Sequence, residues 1–258
     1  MQIGCCVGMQ YYDDVKKAGF DTIALPAKEV AAWSETEFET MCKRIKTGQL
    51  AVRSLNAFCT NALKLSGKSY NAQAVYAYAQ PLIMRAWKLG VQFIGIGAPA
   101  SRNIQEGDSA ARCMQQFHEA ITILCEIAAP YKIEILLESV CSAECNFITR
   151  TAEANRLVRL WNIKNLHLVY DVYHEMWEGQ SPKQIPDFAD EIKVVHLARE
   201  ENGARFYPNQ EGLHFCMPYI HALQLAGYQG EICIEAFEGD VKQGIARSAE
   251  SMNFLRNG

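Results

Sequence analysis

Apolar residues in this chain arrive in short unbroken runs, each followed by a longer stretch with helical spacing. The clearest run is Ile133-Glu134-Ile135-Leu136-Leu137-Glu138, four apolar residues leading into a carboxylate. A strand that alternated apolar and polar would have one wet face. An unbroken run reads instead as a strand buried on both faces, as in a parallel sheet covered by helices. Leu166 to Asp171, Ile192 to His196 and Glu231 to Glu235 repeat the design.

Taken in order, the predicted strands are Gln2 to Cys6, Asp21 to Leu25 (stopped by Pro26), Leu50 to Ala57 and Val91 to Ile96, followed by the four runs above. Helical stretches lie between them. Ser34 is placed to cap a helix over Glu35 to Thr47, with Gly48 as its stop. Asn71 to Leu89 ends at Gly90, Ser109 to Ala129 follows a loop over 101–108, and Thr151 to Trp161 has Thr149 or Thr151 as its cap. Shorter helices are expected over Asp13 to Gly19 and from Ser181-Pro182, and longer ones over Leu213 to Ala226 and Gly244 to Arg256. Gly95-Ile96-Gly97 leaves room for close approach at the end of strand four. Eight strand–helix alternations with a period of about 30 residues argue for a parallel sheet. No glycine-rich phosphate or dinucleotide fingerprint follows any strand, so closure into a single (β/α)8 barrel spanning residues 1–258 is favoured over an open sheet.

Composition changes this picture little. The 258 residues are 49% hydrophobic and 21% charged, within the range of a soluble globular protein and close to the usual barrel length. A net charge of −4 argues against a nucleic-acid partner. No run is long enough to span a membrane, and Met1 to Cys6 carries no basic and apolar leader pattern. The ten cysteines form no CxxC pair, and Cys125 and Cys233 sit inside apolar segments as small core residues. A reducing, cytoplasmic location is expected.

The ends of the last four strands carry the candidate chemistry. In a barrel every strand C-terminus points to one face, where active sites are built. Glu138, Asp171, His196 and Glu235 would converge there, and three carboxylates with one imidazole suit one divalent cation. Each has a plainer reading alone: Asp171 as a helix N-cap, His196 as a hydrogen-bonded core histidine, His174 and the glutamates as solvated loop residues. Four such residues closing four successive strands favour a site. His118, His167, His214 and His221 read as structural or surface residues, and Trp177 is close enough to the motif to wall a pocket.

The same stretches resemble the xylose isomerase-like TIM barrels, a group that includes ketose 3-epimerases, hydroxypyruvate isomerases and inosose dehydratases. Leu137-Glu138 is similar to the family's Leu-Glu-Pro segment, with Glu144 six residues on. Asn146-Phe147-Ile148-Thr149, the Asp171-Val172-Tyr173-His174 motif, Arg205-Phe206-Tyr207-Pro208 and Gly227-Tyr228-Gln229-Gly230 before Ile234-Glu235 extend the likeness, as does Ser101-Arg102 earlier. Ser139-Val140-Cys141 departs from the family's Pro-Leu-Asn, and extra residues before Arg205 let Arg199 compete for its place.

The resemblance implies a metal-dependent isomerase or epimerase of a carbohydrate. Glu138, Asp171, His196 and Glu235 would hold Mn²⁺, Mg²⁺, Co²⁺ or Zn²⁺, and Glu138 and Glu235 would double as the two bases. Glu144, His174 and Arg205 would bind substrate. An inosose-type dehydratase or a hydroxypyruvate isomerase stays open on the same barrel. An abasic-site endonuclease, which holds three metals with many histidines, fits the composition less well, and the intact set of four ligand candidates weakens a non-catalytic sugar-binding barrel. A homo-oligomer is compatible with the sequence.

Overall fold

Unbroken apolar runs do become strands covered on both sides. A computed structural model describes residues 1–209 and 211–257, apart from the side chains of 253, 254 and 257. Its strands are β1 (Gln2–Cys6), β2 (Thr22–Pro26), β3 (Ala51–Asn56), β4 (Phe93–Ile96), β5 (Glu134–Glu138), β6 (Leu166–Asp171), β7 (Ile192–Leu197), the short β8 (Arg199–Glu201) and β9 (Ala204–Phe206), and β10 (Glu231–Ile234). Eight of them pair in parallel and close in the order β1-β10-β7-β6-β5-β4-β3-β2. The closed (β/α)8 barrel expected from the sequence is the observed architecture.

The helices between them are α1 (Tyr12–Lys17), α2 (Ala27–Ala32), α3 (Glu35–Gly48), α4 (Ala72–Leu89), α5 (Pro99–Arg102), α6 (Ala110–Ala128), α7 (Thr151–Trp161), α8 (Val172–Trp177), α9 (Leu213–Leu225) and α10 (Val241–Asn257). Their apolar faces and the outward strand residues form one large core. Inward residues form a second, with Cys6, Ala24, Phe93, Leu136, Val169, Val194 and Cys233 touching inside the barrel. Because side chains alternate along a strand, the next inward positions after Leu136, Val169, Val194 and Cys233 are Glu138, Asp171, His196 and Glu235. The barrel interior thus passes from apolar to charged at the strand C-terminal rim.

Several local expectations are corrected. Ser34 caps α3 in a reciprocal capping box with Glu37. Gly48 does not stop it: the left-handed residue is Gln49 (φ 62°). A Cβ on Gly48 would lie 2.5 Å from the Tyr12 ring, so this glycine serves close approach. Neither Thr149 nor Thr151 caps α7 with its own side chain. The buried Glu175 of α8 does so, accepting from Thr151 N and Oγ1 at 2.9 Å each. Part of the loop expected over 101–108 is α5. The helices α2 and α8 and the β8–β9 hairpin went unexpected.

At the other end of the barrel, Glu231 is fully buried. It accepts hydrogen bonds from Thr22 Oγ1 and, at 3.3 Å, from Ser54 Oγ. Burial raises its pKa, only partly offset by Thr22 and the charge of Arg53. A carboxyl whose folded-state pKa is raised favours the protonated native state. Its contribution to stability is therefore full below the unfolded value of about 4.5 and is lost as pH rises through the folded value. In Glu231→Gln this slope should vanish. Urea unfolding from pH 4.5 upward should show the variant gaining on wild type as pH rises, and parallel curves would refute the assignment.

Candidate active site

The site stands where four rim side chains meet. One donor atom each from Glu138, Asp171, His196 and Glu235 lies within 4.8 Å of the others, and all four residues are buried. Glu138 and Asp171 close β5 and β6, His196 lies one residue before the end of β7, and Glu235 follows β10, its N–H still bonded to Leu197 O at 2.9 Å. His196 Nδ1 is 2.9 Å from Glu138 Oε1 and 3.5 Å from Glu235 Oε2. Donors about 2.1 Å from one divalent ion are some 3 to 4 Å apart, so the spacing and the O₃N donor set fit one cation. Gly97 supplies the room: a Cβ there would stand 2.5 Å from Glu138 Oε2.

Electrostatics shape what surrounds this group. Arg205, carried by β9, enters it. Its Nη1 donates to Glu235 Oε2 at 2.7 Å and Asp171 Oδ2 at 3.2 Å, and its Nη2 to Glu144 Oε1 at 3.2 Å. Burial opposes the charge on this guanidinium, but Asp171 and Glu235 outweigh it and hold its pKa above the ordinary value. Burial likewise opposes the Asp171 carboxylate, yet His174 and Arg205 bring its pKa below the usual range. Burial alone would lower the His196 pKa. The carboxylates of Glu235 and Glu138 reverse this and raise it well above normal. Asp171, Glu235 and Glu144 share one guanidinium while Glu138 pairs with His196, and the excess negative charge is what a cation would neutralise.

Each remaining candidate has a definite place. Asp171 does cap a helix, since Oδ1 accepts from Tyr173 N and His174 N, while Oδ2 faces Arg205. The plain and functional readings of this residue hold together. His174 is buried, not a surface loop residue. Cys141 N donates to its Nδ1 at 3.0 Å, and Nε2 lies 2.6 Å from Arg205 Nη2. A neutral imidazole has one acceptor nitrogen and cannot serve both. With Cys141 as partner, Nε2 carries the proton and faces the pocket as a donor. Glu144 is the exposed member. Arg199 stays outside, paired with Glu201 at 3.0 Å and stacked on Phe206, so the hairpin presents Arg205. Trp177 packs on Gly203 and Tyr173 at the site's edge.

Asn56 and Cys6 escaped the sequence reading, and Arg102 entered it only as part of a family motif, with no role. Asn56 donates to Glu235 Oε1 at 2.7 Å, and its own Oδ1 is buried without a partner among the described residues. Arg102, fully buried, donates to the main-chain carbonyl of Glu138 at 2.9 Å. Cys6 ends β1 with its thiol near His196 and Glu235. The hairpin bearing Arg205 had a readable signal in Asn202-Gly203, whose φ values of 53° and 79° are those of a type I′ turn.

A closed parallel barrel with a polyacidic, histidine-containing rim defines a class of α/β-barrel proteins whose strand ends carry a donor set that fits a cation. The sequence profile of the xylose isomerase-like TIM barrel family matches residues 12–258, and the chain belongs to that family. No curated protein matches it in sequence. Its fold is similar to 3-keto-D-glucoside 4-epimerase from E. coli, with TM-score 0.83, 17% identity and 100% of each chain covered. It is similar to D-psicose 3-epimerase crystallised with D-fructose, with TM-score 0.82, 18% identity and 99% and 98% of the two chains covered. It is also similar to the IolI protein with a bound zinc atom, with TM-score 0.76, 15% identity and 99% and 98% covered. At these identities the likeness is one of fold.

Gly97→Ala should push the Glu138 carboxylate out of place while the barrel persists. We expect cation affinity, measured by calorimetric titration, to fall on the order of 10-fold, with a stability loss of about 1–3 kcal/mol. Unchanged affinity would remove Gly97 from the site.

Proposed function

We propose that this protein is a divalent-metal-dependent isomerase or epimerase of a sugar or sugar derivative, acting by proton transfer next to a carbonyl. The observation that carries this reading is the buried four-residue donor group within 4.8 Å, faced by Arg205 and His174. Fold neighbours whose names are those of sugar epimerases, and one crystallised with zinc, support it.

Glu138, Asp171, His196 and Glu235 would hold the ion. When bound, it supplies a Lewis acid that offsets negative charge developing on substrate oxygen. The chain's own residues do the rest. Glu138 and Glu235 approach from either side of the β7 residue His196, since β10 neighbours β7 on one side and β6 with β5 lies on the other. One carboxylate takes the proton from the substrate carbon on one face, and the other returns a proton to the opposite face. His174 Nε2–H and Arg205 donate to substrate oxygens, and Glu144 accepts from a hydroxyl. Asn56 fixes Glu235 through Oε1, which leaves Oε2 as the oxygen directed at the reacting centre and Arg205.

Chelation should abolish turnover and leave the circular dichroism spectrum unchanged, because a barrel of this size does not depend on one ion for its burial. A chelated protein that kept full turnover would rule out the metal-dependent reading. The substrate class is read from a panel of ketoses, ketose phosphates, hydroxypyruvate and inosose with Mn²⁺, Mg²⁺, Co²⁺ and Zn²⁺.

Glu235→Gln keeps the size and one oxygen but cannot accept a proton. Turnover should drop about 10²–10⁴-fold with substrate still bound. In deuterated water, NMR should show exchange of the substrate proton that Glu138 reaches, without completed product. Wild-type turnover in the variant would end the two-base assignment.

A further inference from the structure

We propose that Cys6 is a sulfur donor to the cation site and that its thiolate makes the site select Zn²⁺ or Co²⁺ over Mg²⁺ and Mn²⁺. This rests on the reading of the four-residue group as a cation site. Cys6 Sγ, a ring nitrogen of His196 and a carboxylate oxygen of Glu235 lie within 4.8 Å of one another, and all three residues are buried. Two of the three belong to the four-residue group, so the thiol stands on the flank of the same centre.

The fold holds it there. Cys6 is the last residue of β1, inward-facing like Ala24 opposite it, and β1 pairs with β10, whose next residue is Glu235. The β1–β10 seam thus brings a thiol to the one edge of the site that β5, β6 and β7 do not supply. A carboxylate-rich site without sulfur suits Mg²⁺ and Mn²⁺, whereas a thiolate beside an imidazole favours Zn²⁺ and Co²⁺. Ligation exchanges the thiol proton, released to solvent, for the cation, and no redox partner is needed.

A second thiol cluster, Cys141 with Glu144 and His174, has the same span on the other flank. It is the weaker candidate for a cation, because Glu144 is exposed and His174 Nδ1 already accepts from Cys141 N at 3.0 Å.

The test titrates Co²⁺ into chelator-treated full-length protein and records the near-ultraviolet thiolate-to-Co²⁺ charge-transfer band along with the visible d–d bands. Wild type should show both. Cys6→Ser should keep the d–d bands and lose the charge-transfer band, whereas Cys233→Ser, altering the adjacent barrel thiol, should keep both. In competition with a chromogenic chelator, Cys6→Ser should weaken Zn²⁺ by about 10–100-fold and Mn²⁺ far less. Bound Co²⁺ without a charge-transfer band in wild type, a band surviving in Cys6→Ser, or equal loss of Zn²⁺ and Mn²⁺ would overturn the proposal. The wild-type spectrum decides it even if the serine variant fails to fold. Absence of d–d bands in wild type, as in His196→Ala, would instead bring down the cation reading itself.

Discussion

Like charges brought together out of water set the terms for this molecule. Glu138, Asp171 and Glu235 are buried at the barrel rim with donor atoms within 4.8 Å, and Glu144 faces the same guanidinium. Carboxylates packed this closely in a low-dielectric setting repel strongly unless cations are interleaved. The fold interleaves the ones it has. His196 sits between Glu138 and Glu235, and Arg205 bridges Asp171, Glu235 and Glu144. One arginine and one histidine against four carboxylates leave a negative centre, and the barrel has to be stable enough to enforce it. Rigid strands packed on both faces give that stability, which is why the acids stand on strand ends and not on loops.

Residues with no direct chemistry hold the geometry. Gly97 clears space for the Glu138 side chain, Arg102 ties down the Glu138 carbonyl, and Asn56 fixes one oxygen of Glu235. Glu175, four residues after Asp171, reaches back to the first turn of α7 and anchors α8, the helix that Asp171 itself caps. The β8–β9 hairpin is tied by Tyr173 Oη to Gly203 O at 2.8 Å, and Phe237 N and Glu238 N both donate to Arg205 O at 3.0 Å. The segment after β10 thereby positions both Glu235 and the main chain of Arg205.

The strands and the four rim residues were legible because one physical rule produced both signals. A strand buried on both faces must be apolar throughout, so a charged residue at its end stands out, and in a parallel barrel all such ends share one face. The supporting residues obey no such rule. Asn56 looks like loop polarity at the end of β3, and its inward face is seen in the bonds that Ser54 and Asn56 make to Glu231 and Glu235. Arg102 defies composition, since arginines are almost never fully buried. α8 begins directly after Asp171 with no linker to mark it. Cys6 reads as one more apolar strand residue, because sequence shows a thiol's size and not its neighbours.

His174 and Arg205 show how the site can respond to substrate. Cys141 N–H points at Nδ1 of the imidazole and Arg205 Nη2 at Nε2, and a neutral ring can accept at only one of them. Only the backbone donor is fixed by the fold, so the side chain of Arg205 is the partner that yields. Its Nη2 contacts are also the weaker half of its set, since Glu144 is exposed, while Nη1 is held by buried Asp171 and Glu235. In the proposed reaction a substrate oxygen arriving between His174 and Arg205 would accept from both Nε2–H and Nη2 and resolve the conflict between two donors. The same oxygen leaves Nη1 on its carboxylates, so the charge balance of the rim is kept. The facing donors of His174 and Arg205 thus mark where an electron-rich oxygen would belong in the proposed reaction, one step from the two carboxylates that would move the proton of the neighbouring carbon.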